Sequence, residues 1–200
     1  MTNKTIELLA QRRTQYALGK SLPHSQDKVE ALIKQAIRLS PSSFNSQSSR
    51  AVILFGAESD KVWSLIEAEL RKIVPADAFA STEAKMKGFA AGAGTVLFYE
   101  DQDTVRDLQE RFPLYADAFP GFSSNSAGMA QLAVWTALAE EGIGASLQHY
   151  SPIADEALAQ AFGIPSSWKL IAQMPFGSNE AAPDEKTFIE DEKRFVTLGR

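Results

Sequence analysis

Residues 39–50 read Leu39-Ser40-Pro41-Ser42-Ser43-Phe44-Asn45-Ser46-Gln47-Ser48-Ser49-Arg50 and form a polar loop between a helical pattern and an apolar strand. Apart from Pro41 and Phe44, every residue from Ser40 to Ser49 is Ser, Asn or Gln, so this stretch carries neutral hydrogen-bonding groups and neither an acid nor a base. Such a composition suits the binding of a flat, heteroatom-rich ligand, but serine and asparagine also occur in ordinary turns and caps. The loop alone leaves both interpretations open.

The composition indicates one globular domain over residues 1–200. Hydrophobic residues make up 44% and charged residues 22% of the chain, and its length allows a single sizeable core. The net charge of −5 is evenly spread without a basic stripe, so we expect no nucleic-acid binding. There is no cysteine, and His24 and His149 lie far apart, so we expect no metal site.

We expect neither a targeting segment nor a membrane segment in this chain. Its N-terminus lacks the apolar core of a signal peptide, and the longest apolar run, residues 127–139, is too short to span a bilayer. We therefore predict a cytoplasmic protein that does not enter the membrane.

The apolar pattern predicts alternating helices and strands. Continuous apolar runs predict strands buried on both faces at residues 51–56 and 95–99 and a third strand at 168–176, while alternation at 193–198 predicts a terminal strand that pairs with another subunit. Helices are predicted at residues 5–14, 25–39, 59–74, 76–88, 101–112, 127–141 and 153–162. The helix at 127–141 is apolar on nearly every face, which predicts a central position. The aromatic segment 112–122 could either line a pocket or fill the core or an interface.

Familiar catalytic motifs do not match. Gly92-Ala93-Gly94 lacks the third glycine of a dinucleotide-binding turn and precedes a strand instead of following one, and no P-loop sequence is present. Gly144-Ala145-Ser146-Leu147-Gln148 carries glutamine where a nucleophile elbow needs glycine. Ser146 with His149 nevertheless leaves a hydrolase as an alternative.

Two basic pairs lie at opposite ends of the chain. Arg12-Arg13 ends the first predicted helix, and Lys193-Arg194 lies near the C-terminus. Cations from both ends could meet on one phosphate, while the turn at residues 145–150 could present backbone N–H groups to a polar ring. Each pair also fits a simpler role, as charges at a helix end or on a solvated strand.

Three segments together resemble the FMN-dependent nitroreductase family. They are Arg12-Arg13-Thr14, Ser40–Arg50 and Gly142–Tyr150, and Ser126–Gln131 adds a fourth match at the start of the central helix. Their order and spacing agree over nearly the whole chain. The pattern is most similar to the branch named after the yeast fatty-acid repression mutant protein.

This resemblance implies an α+β fold with a central mixed, mostly antiparallel sheet flanked by helices. It also implies a homodimer that binds FMN at the subunit interface, with the C-terminal strand exchanged or paired between subunits. The implied activity is that of an NAD(P)H oxidoreductase, in which NADH or NADPH delivers a hydride to flavin N5 and a nitroaromatic, quinone or similar small aromatic acceptor then takes it. No catalytic side chain is required, because the chemistry occurs on the flavin. The alternative is a non-catalytic flavin-binding or regulatory protein linked to stress or lipid metabolism.

The resemblance also implies which residues hold the cofactor. Arg12, Arg13 and Thr14 would hold the phosphate and ribityl end with Lys193 and Arg194. Asn45 and Gln47, with Ser43 beside them, would contact flavin heteroatoms, and the resemblance leaves open which subunit of the dimer supplies them. Leu147, Gln148 and His149 would lie against the isoalloxazine ring. Two features depart from the family pattern: Tyr16 stands where many members have a basic residue, and Gln47-Ser48-Ser49-Arg50 replaces the more common Gln-Pro-Trp.

Overall fold

In the computed structural model, which describes residues 3–199, five antiparallel strands form a sheet with helices on both faces. The strands are β1 (Leu18–Gly19), β2 (Ser49–Phe55), β3 (Gly94–Asp101), β4 (Gly144–Ala145) and β5 (Trp168–Asn179). Their order is β1-β5-β3-β2, and β4 also pairs with β5. The helices are α1 (Lys4–Gln11), α2 (Gln26–Leu39), α3 (Gly56–Arg71), α4 (Phe79–Ala90), α5 (Gln102–Arg111), α6 (Phe119–Glu140) and α7 (Asp155–Phe162). The predicted α+β class is confirmed.

The centre of the sheet is the pair β3 and β5. Alternate side chains of β3 point to opposite faces, so Val96 and Phe98 pack with α2 and α6 while Leu97 and Tyr99 pack with α3, α4 and α7. Since both faces are covered, every β3 residue from Gly94 to Glu100 is buried. This double burial explains why the strand is a continuous apolar run instead of an alternating one.

Strand β2 is less buried than its sequence predicts. Its apolar run predicts a strand covered on both faces, but Leu54 is the only one of its seven residues that is buried. The reason is its position at the edge of the sheet, where β3 is its only neighbouring strand among the described residues. The strand itself is confirmed.

Helix α6 is the longest helix described, with 22 residues, and it starts earlier than predicted. It begins at Phe119, and Pro120 lies in its first turn, where the fixed φ of proline favours a helix start. Ser124 therefore lies inside the helix, where its hydroxyl donates to the Pro120 carbonyl and does not cap a terminus. The predicted central position is confirmed, because α6 contacts α1, α2 and the sheet.

The aromatic segment fills a small core. Phe119 is buried, and Phe112 and Phe122 pack with it against Val105 and Leu108 of α5. The same rings also line clefts beside the polar loop, Phe119 and Phe122 one of them and Phe112 another of about 190 Å³. Both interpretations that the sequence left open are therefore observed.

Glycines near the start of β3 allow close packing. A Cβ atom at Gly94 would lie 2.4 Å from the Phe176 ring and 2.7 Å from the Leu54 carbonyl oxygen. The segment Gly92-Ala93-Gly94 thus allows β3 to pack closely against its neighbouring strands. This structural role agrees with its failure to match a dinucleotide-binding turn.

The chain after β5 forms an exposed C-terminal arm, residues 180–199. All of its residues are exposed, and its only regular element is a short 3₁₀ helix at Asp191–Lys193. The strand predicted at residues 193–198 is not formed, because a strand needs a hydrogen-bonded neighbour and this segment has none within residues 3–199. Its pairing with a second subunit stays a prediction.

Within residues 3–199, no helix combines the length and the apolarity needed to cross a bilayer. The cytoplasmic location stays a prediction.

Candidate functional site

The N-terminal basic motif lies directly beside the turn that follows β4. Thr14 forms a parallel bridge with Ala145, and the Gln15 N–H donates to the Ala145 carbonyl at 2.9 Å. Two segments more than a hundred residues apart in sequence are therefore neighbours in the fold. This contact joins the first and third of the matched sequence segments.

The two arginines of the motif form a positively charged patch. Helix α1 ends at Gln11 and Arg12 is its C-cap residue, so both arginines directly follow the last turn, where positive charge also suits the helix dipole. The Arg12 guanidinium lies over the Trp135 ring, 4.3 Å from its centroid, and its pKa is lowered by burial and then by the charge of Arg13. Arg13 donates to the carbonyl of Asp184 in the C-terminal arm. Two adjacent cations would both be stabilised by a bound anion such as a phosphate.

The turn after β4 presents backbone donors. The Gln148 N–H is occupied, because it donates to the Gln173 carbonyl at 2.7 Å. The N–H groups of Leu147 and His149 have no acceptor within residues 3–199. They alternate with Gln148 along an extended segment and so point away from the sheet. These two N–H groups are available to a ligand.

A cleft of about 490 Å³ lies beside this turn. Its lining consists of Tyr16, Ala84, Lys85, Gly88, Phe89, Gln148 and Tyr150. Volumes of roughly 300–1,000 Å³ are usual for small-molecule sites, and apolar walls with a few polar groups are typical of them. Burial raises the pKa of Tyr150, which keeps its hydroxyl protonated and able to donate a hydrogen bond.

Sequence reasoning did not identify Lys85 or Tyr150 as site residues. Lys85 belongs to α4, where nothing in the sequence distinguishes it from Lys87, two residues further along the same helix. Only the fold brings its side chain to the cleft that Tyr16 also lines. The cation that the family pattern places at position 16 is absent, but a cation from another element lines the same cleft.

The hydrolase alternative is not supported by the geometry. Ser146 is fully buried, and its hydroxyl accepts a hydrogen bond from the Gln148 amide at 3.1 Å. His149 is exposed and makes no hydrogen bond to Ser146. A nucleophilic serine must be reachable and must contact its base, and Ser146 meets neither condition.

The polar loop adopts an unusual backbone. Ser43–Asn45 form a 3₁₀ turn, and Phe44, Asn45 and Gln47 have φ values of 57°, 49° and 50°. Residues other than glycine rarely adopt positive φ, and clusters of such residues occur at ligand-binding sites. The side chains of Asn45 and Gln47 are exposed and unpaired within residues 3–199, so both can contact a ligand.

Arg50 fixes the C-terminal end of this loop. Its Nη1 donates to the Gln47 carbonyl at 2.6 Å, and its Nη2 donates to Asp101 at 2.8 Å. Asp101 also caps α5 by accepting from the Asp103 N–H at 3.1 Å. Burial alone would raise the pKa of the Asp101 carboxyl, but the hydrogen bonds that it accepts and the charge of Arg50 together lower it.

Replacing Asp101 by Ala should lower the free energy of unfolding at pH 7 by about 0.5–2 kcal/mol, because α5 loses its N-cap acceptor. The pKa of Asp101 is lower in the folded than in the unfolded protein. Its stabilising effect is therefore complete above the unfolded value, about 3.9, and is lost as the pH falls through the folded value. Urea unfolding at pH 7 and near pH 3 measures this difference. Asp107→Ala, which removes only an exposed ion pair with Arg111, is the control. If Asp101→Ala lowered the free energy of unfolding by the same amount at pH 7 and near pH 3, the lowered pKa of Asp101 in the folded protein would be contradicted.

The predicted site residues form separate groups in the single chain. The cleft beside the turn is lined by no residue of the loop, and Ser42, Gln47 and Arg50 line another cleft of about 240 Å³. Lys193 pairs with Glu190, and Arg194 lies over the Phe195 ring, both within the C-terminal arm. Arg12, Arg13, Thr14, Leu147, Gln148 and His149 are thus brought together, whereas Ser43, Asn45, Gln47, Lys193 and Arg194 are not.

Comparison with known proteins assigns the family. Residues 9–178 match the nitroreductase family. The chain belongs to this family. Two Saccharomyces cerevisiae proteins are similar to it: HBN1 is 37% identical over 189 residues, 94% of each chain, and the nitroreductase FRM2 is 34% identical over 195 residues, 95% of each chain. FRM2 is the fatty-acid repression mutant protein, so the resemblance found in the sequence is confirmed. This nitroreductase-family chain is an oxidoreductase.

Solved structures of nitroreductases share its fold. The nitroreductase CinD from Lactococcus lactis in complex with chloramphenicol is 47% identical, with a TM-score of 0.90 over 98% of this chain and 100% of CinD. CinD has also been solved with 4-nitrophenol. A nitroreductase with bound FMN from Desulfitobacterium hafniense is 16% identical, with a TM-score of 0.72 and full coverage of both chains, which shows a common fold.

Proposed function

We propose that this protein is an FMN-dependent NAD(P)H oxidoreductase that reduces nitroaromatics, quinones or similar acceptors, with hydride passing through flavin N5. The observation that carries this proposal is the Thr14–Ala145 bridge, which places the basic motif beside the turn that has free N–H groups. Family membership supports it. The binding of 4-nitrophenol by CinD supports a nitroaromatic acceptor.

The residues beside the bridge suit FMN. The guanidinium groups of Arg12 and Arg13 and the hydroxyl of Thr14 match the phosphate and ribityl end, since planar guanidinium groups bind phosphate with paired hydrogen bonds. Leu147, Gln148 and His149 would lie against the isoalloxazine ring, and of these three Gln148 lines the 490 Å³ cleft. Bound FMN would supply the redox chemistry by accepting a hydride from NADH or NADPH and passing it to the acceptor.

The chain itself would stabilise the charge that reduction places on the ring. The free N–H groups of Leu147 and His149 are donors held in position by the Gln148–Gln173 pairing. Lys85 adds a positive charge and Tyr150 a hydroxyl donor at the same cleft. Preorganised donors of this kind act where negative charge develops and need no catalytic acid or base.

A second copy of the chain would complete the site. Helices α1, α2 and α6 form an apolar groove of about 490 Å³, in which Leu39, Met129 and Leu132 are exposed. The C-terminal arm carries five exposed apolar side chains, Phe188, Ile189, Phe195, Val196 and Leu198. Exposed apolar side chains that cluster in this way are typical of a protein interface. In the resulting homodimer, Ser43, Asn45 and Gln47 of the partner subunit would face the flavin, and its arm would bring Lys193 and Arg194 to the phosphate.

Steady-state kinetics test the activity and separate it from the non-catalytic alternative. We expect the purified protein with FMN to oxidise NADH or NADPH in the presence of a quinone or 4-nitrophenol. Because both substrates would use one site in turn, double-reciprocal plots should give parallel lines. A protein that binds FMN but does not consume either nicotinamide with any acceptor would instead be a flavin-binding protein without turnover.

A further inference from the structure

A buried carboxyl group at the end of β3 is not explained by the redox site. Glu100 is 1% exposed, and none of the ion pairs within residues 3–199 includes it. Three serine hydroxyls surround it instead: Ser48 donates to Oε2 at 2.5 Å, Ser123 donates to Oε2 at 2.6 Å, and Ser49 donates to Oε1. A buried carboxyl without a cation depends on such donors to offset the loss of water.

These three donors belong to different parts of the fold. Ser48 is the last residue of the polar loop, Ser49 is the first residue of β2, and Ser123 lies in α6. The Asp101 N–H adds a backbone bond to the Ser48 carbonyl at 2.9 Å. The Glu100 carboxyl therefore joins the C-terminal end of the loop to the central strand and to the central helix.

The loop needs such anchoring because its backbone is unfavourable. Phe44, Asn45 and Gln47 all have positive φ, and this conformation persists only where the surroundings fix it. On the N-terminal side, the Phe44 ring packs on Phe112 and Phe119 at centroid distances of 4.9 and 5.4 Å. On the C-terminal side, Arg50 donates to the carbonyls of Gln47 and Ser49, and the Glu100 carboxyl accepts from the hydroxyls of Ser48 and Ser49.

We propose that Glu100 is a positioning residue for the flavin: through Ser48 and Ser49 its carboxyl sets the loop geometry that presents Asn45 and Gln47 to the ligand. This inference rests on the proposed FMN binding by the loop. Glu100 itself touches no ligand, since it is buried beneath the loop.

The test compares FMN affinity with stability in matched variants. Glu100→Ala removes the carboxyl. Glu100→Gln keeps the shape of the side chain and one acceptor oxygen, and its NH₂ group can donate to a serine hydroxyl that rotates to accept. Ser59→Ala is the control, because Ser59 is also fully buried and its hydroxyl bonds to the Thr95 hydroxyl at 2.8 Å at the other end of β3. FMN affinity is measured by flavin fluorescence quenching, and stability by thermal unfolding of the FMN-free protein.

We expect Glu100→Ala to raise the Kd for FMN about tenfold or more and Glu100→Gln to raise it less than about threefold. Ser59→Ala should lower the unfolding temperature but leave the Kd within about twofold of wild type. If Glu100→Ala does not fold, the double variant Ser48→Ala/Ser49→Ala removes the loop contacts while keeping the carboxyl, and it should show the same tenfold loss.

A folded Glu100→Ala protein, or the double serine variant, with wild-type affinity for FMN would overturn the inference and leave the proposed function intact. A Glu100→Gln protein as weak as Glu100→Ala would overturn it as well, because shape and hydrogen bonding would then not restore the loop. A wild-type protein that binds no FMN would overturn the proposed function together with the inference that rests on it.

Discussion

Arg13→Ala should weaken FMN binding about ten- to a hundredfold. A hydrogen bond between a guanidinium and a phosphate contributes about 1.5–3 kcal/mol, which corresponds to that range of affinity. Arg13 is the better residue to replace, because the loss of Arg12 would disturb its packing over Trp135, whereas the loss of Arg13 removes one hydrogen bond to the exposed C-terminal arm. Isothermal titration of the FMN-free protein with FMN measures the change.

Arg194→Ala extends this test to the other end of the chain. If the arm of the partner subunit reaches the same phosphate, its loss should weaken FMN binding by a similar factor. Arg106→Ala is a suitable control, because Arg106 is exposed on α5 and its one ion pair within residues 3–199 is with Asp103 on the same helix. Unchanged affinity in both Arg13→Ala and Arg194→Ala would show that the phosphate is held elsewhere.

If the proposed homodimer forms through the apolar groove, Leu132→Asp should yield a monomer and abolish most FMN binding. Leu132 lies in the apolar groove of α6 and is 44% exposed in the single chain. Because the same patch meets its own copy in a two-fold dimer, one substitution buries two carboxylates. Each unpaired buried charge costs about 3–5 kcal/mol, so the two together should weaken the association of the subunits by at least about ten-thousandfold. Loss of the partner's loop and arm would then remove part of the site.

Light scattering coupled to gel filtration measures the mass, and FMN fluorescence measures the binding. Ile73→Asp is the matched control, since Ile73 is an exposed apolar residue that lies outside the groove and the arm. It should remain dimeric and bind FMN normally. A Leu132→Asp protein that stays dimeric with full FMN affinity would place the interface on another surface.

The parts of the fold that the sequence predicts are those fixed by local pattern. β3 is recognisable because both of its faces are buried, and α7 ends as expected at Gly163, whose φ of 62° suits a helix C-terminus. The segments that carry the site are recognisable because each is a short continuous motif. Their mutual approach at Thr14 and Ala145 follows only from the complete fold.

The features that the sequence does not reveal depend on contacts between distant residues. β1 has two residues, too few to show a period, and it exists because it pairs with β5. The first turns of α6 contain proline, glycine and serine, and they are helical because Phe119 is packed into the small aromatic core. Glu100 meets serines 52 and 23 positions away, a relation that no local pattern contains.

An absorption spectrum of the purified protein, recorded with FMN before and after addition of NADH or NADPH, tests the central claim most directly. We predict a yellow protein that retains FMN through gel filtration and whose visible flavin absorption bleaches when the reductant is added and returns with a quinone. A colourless protein that does not retain added FMN would contradict the account.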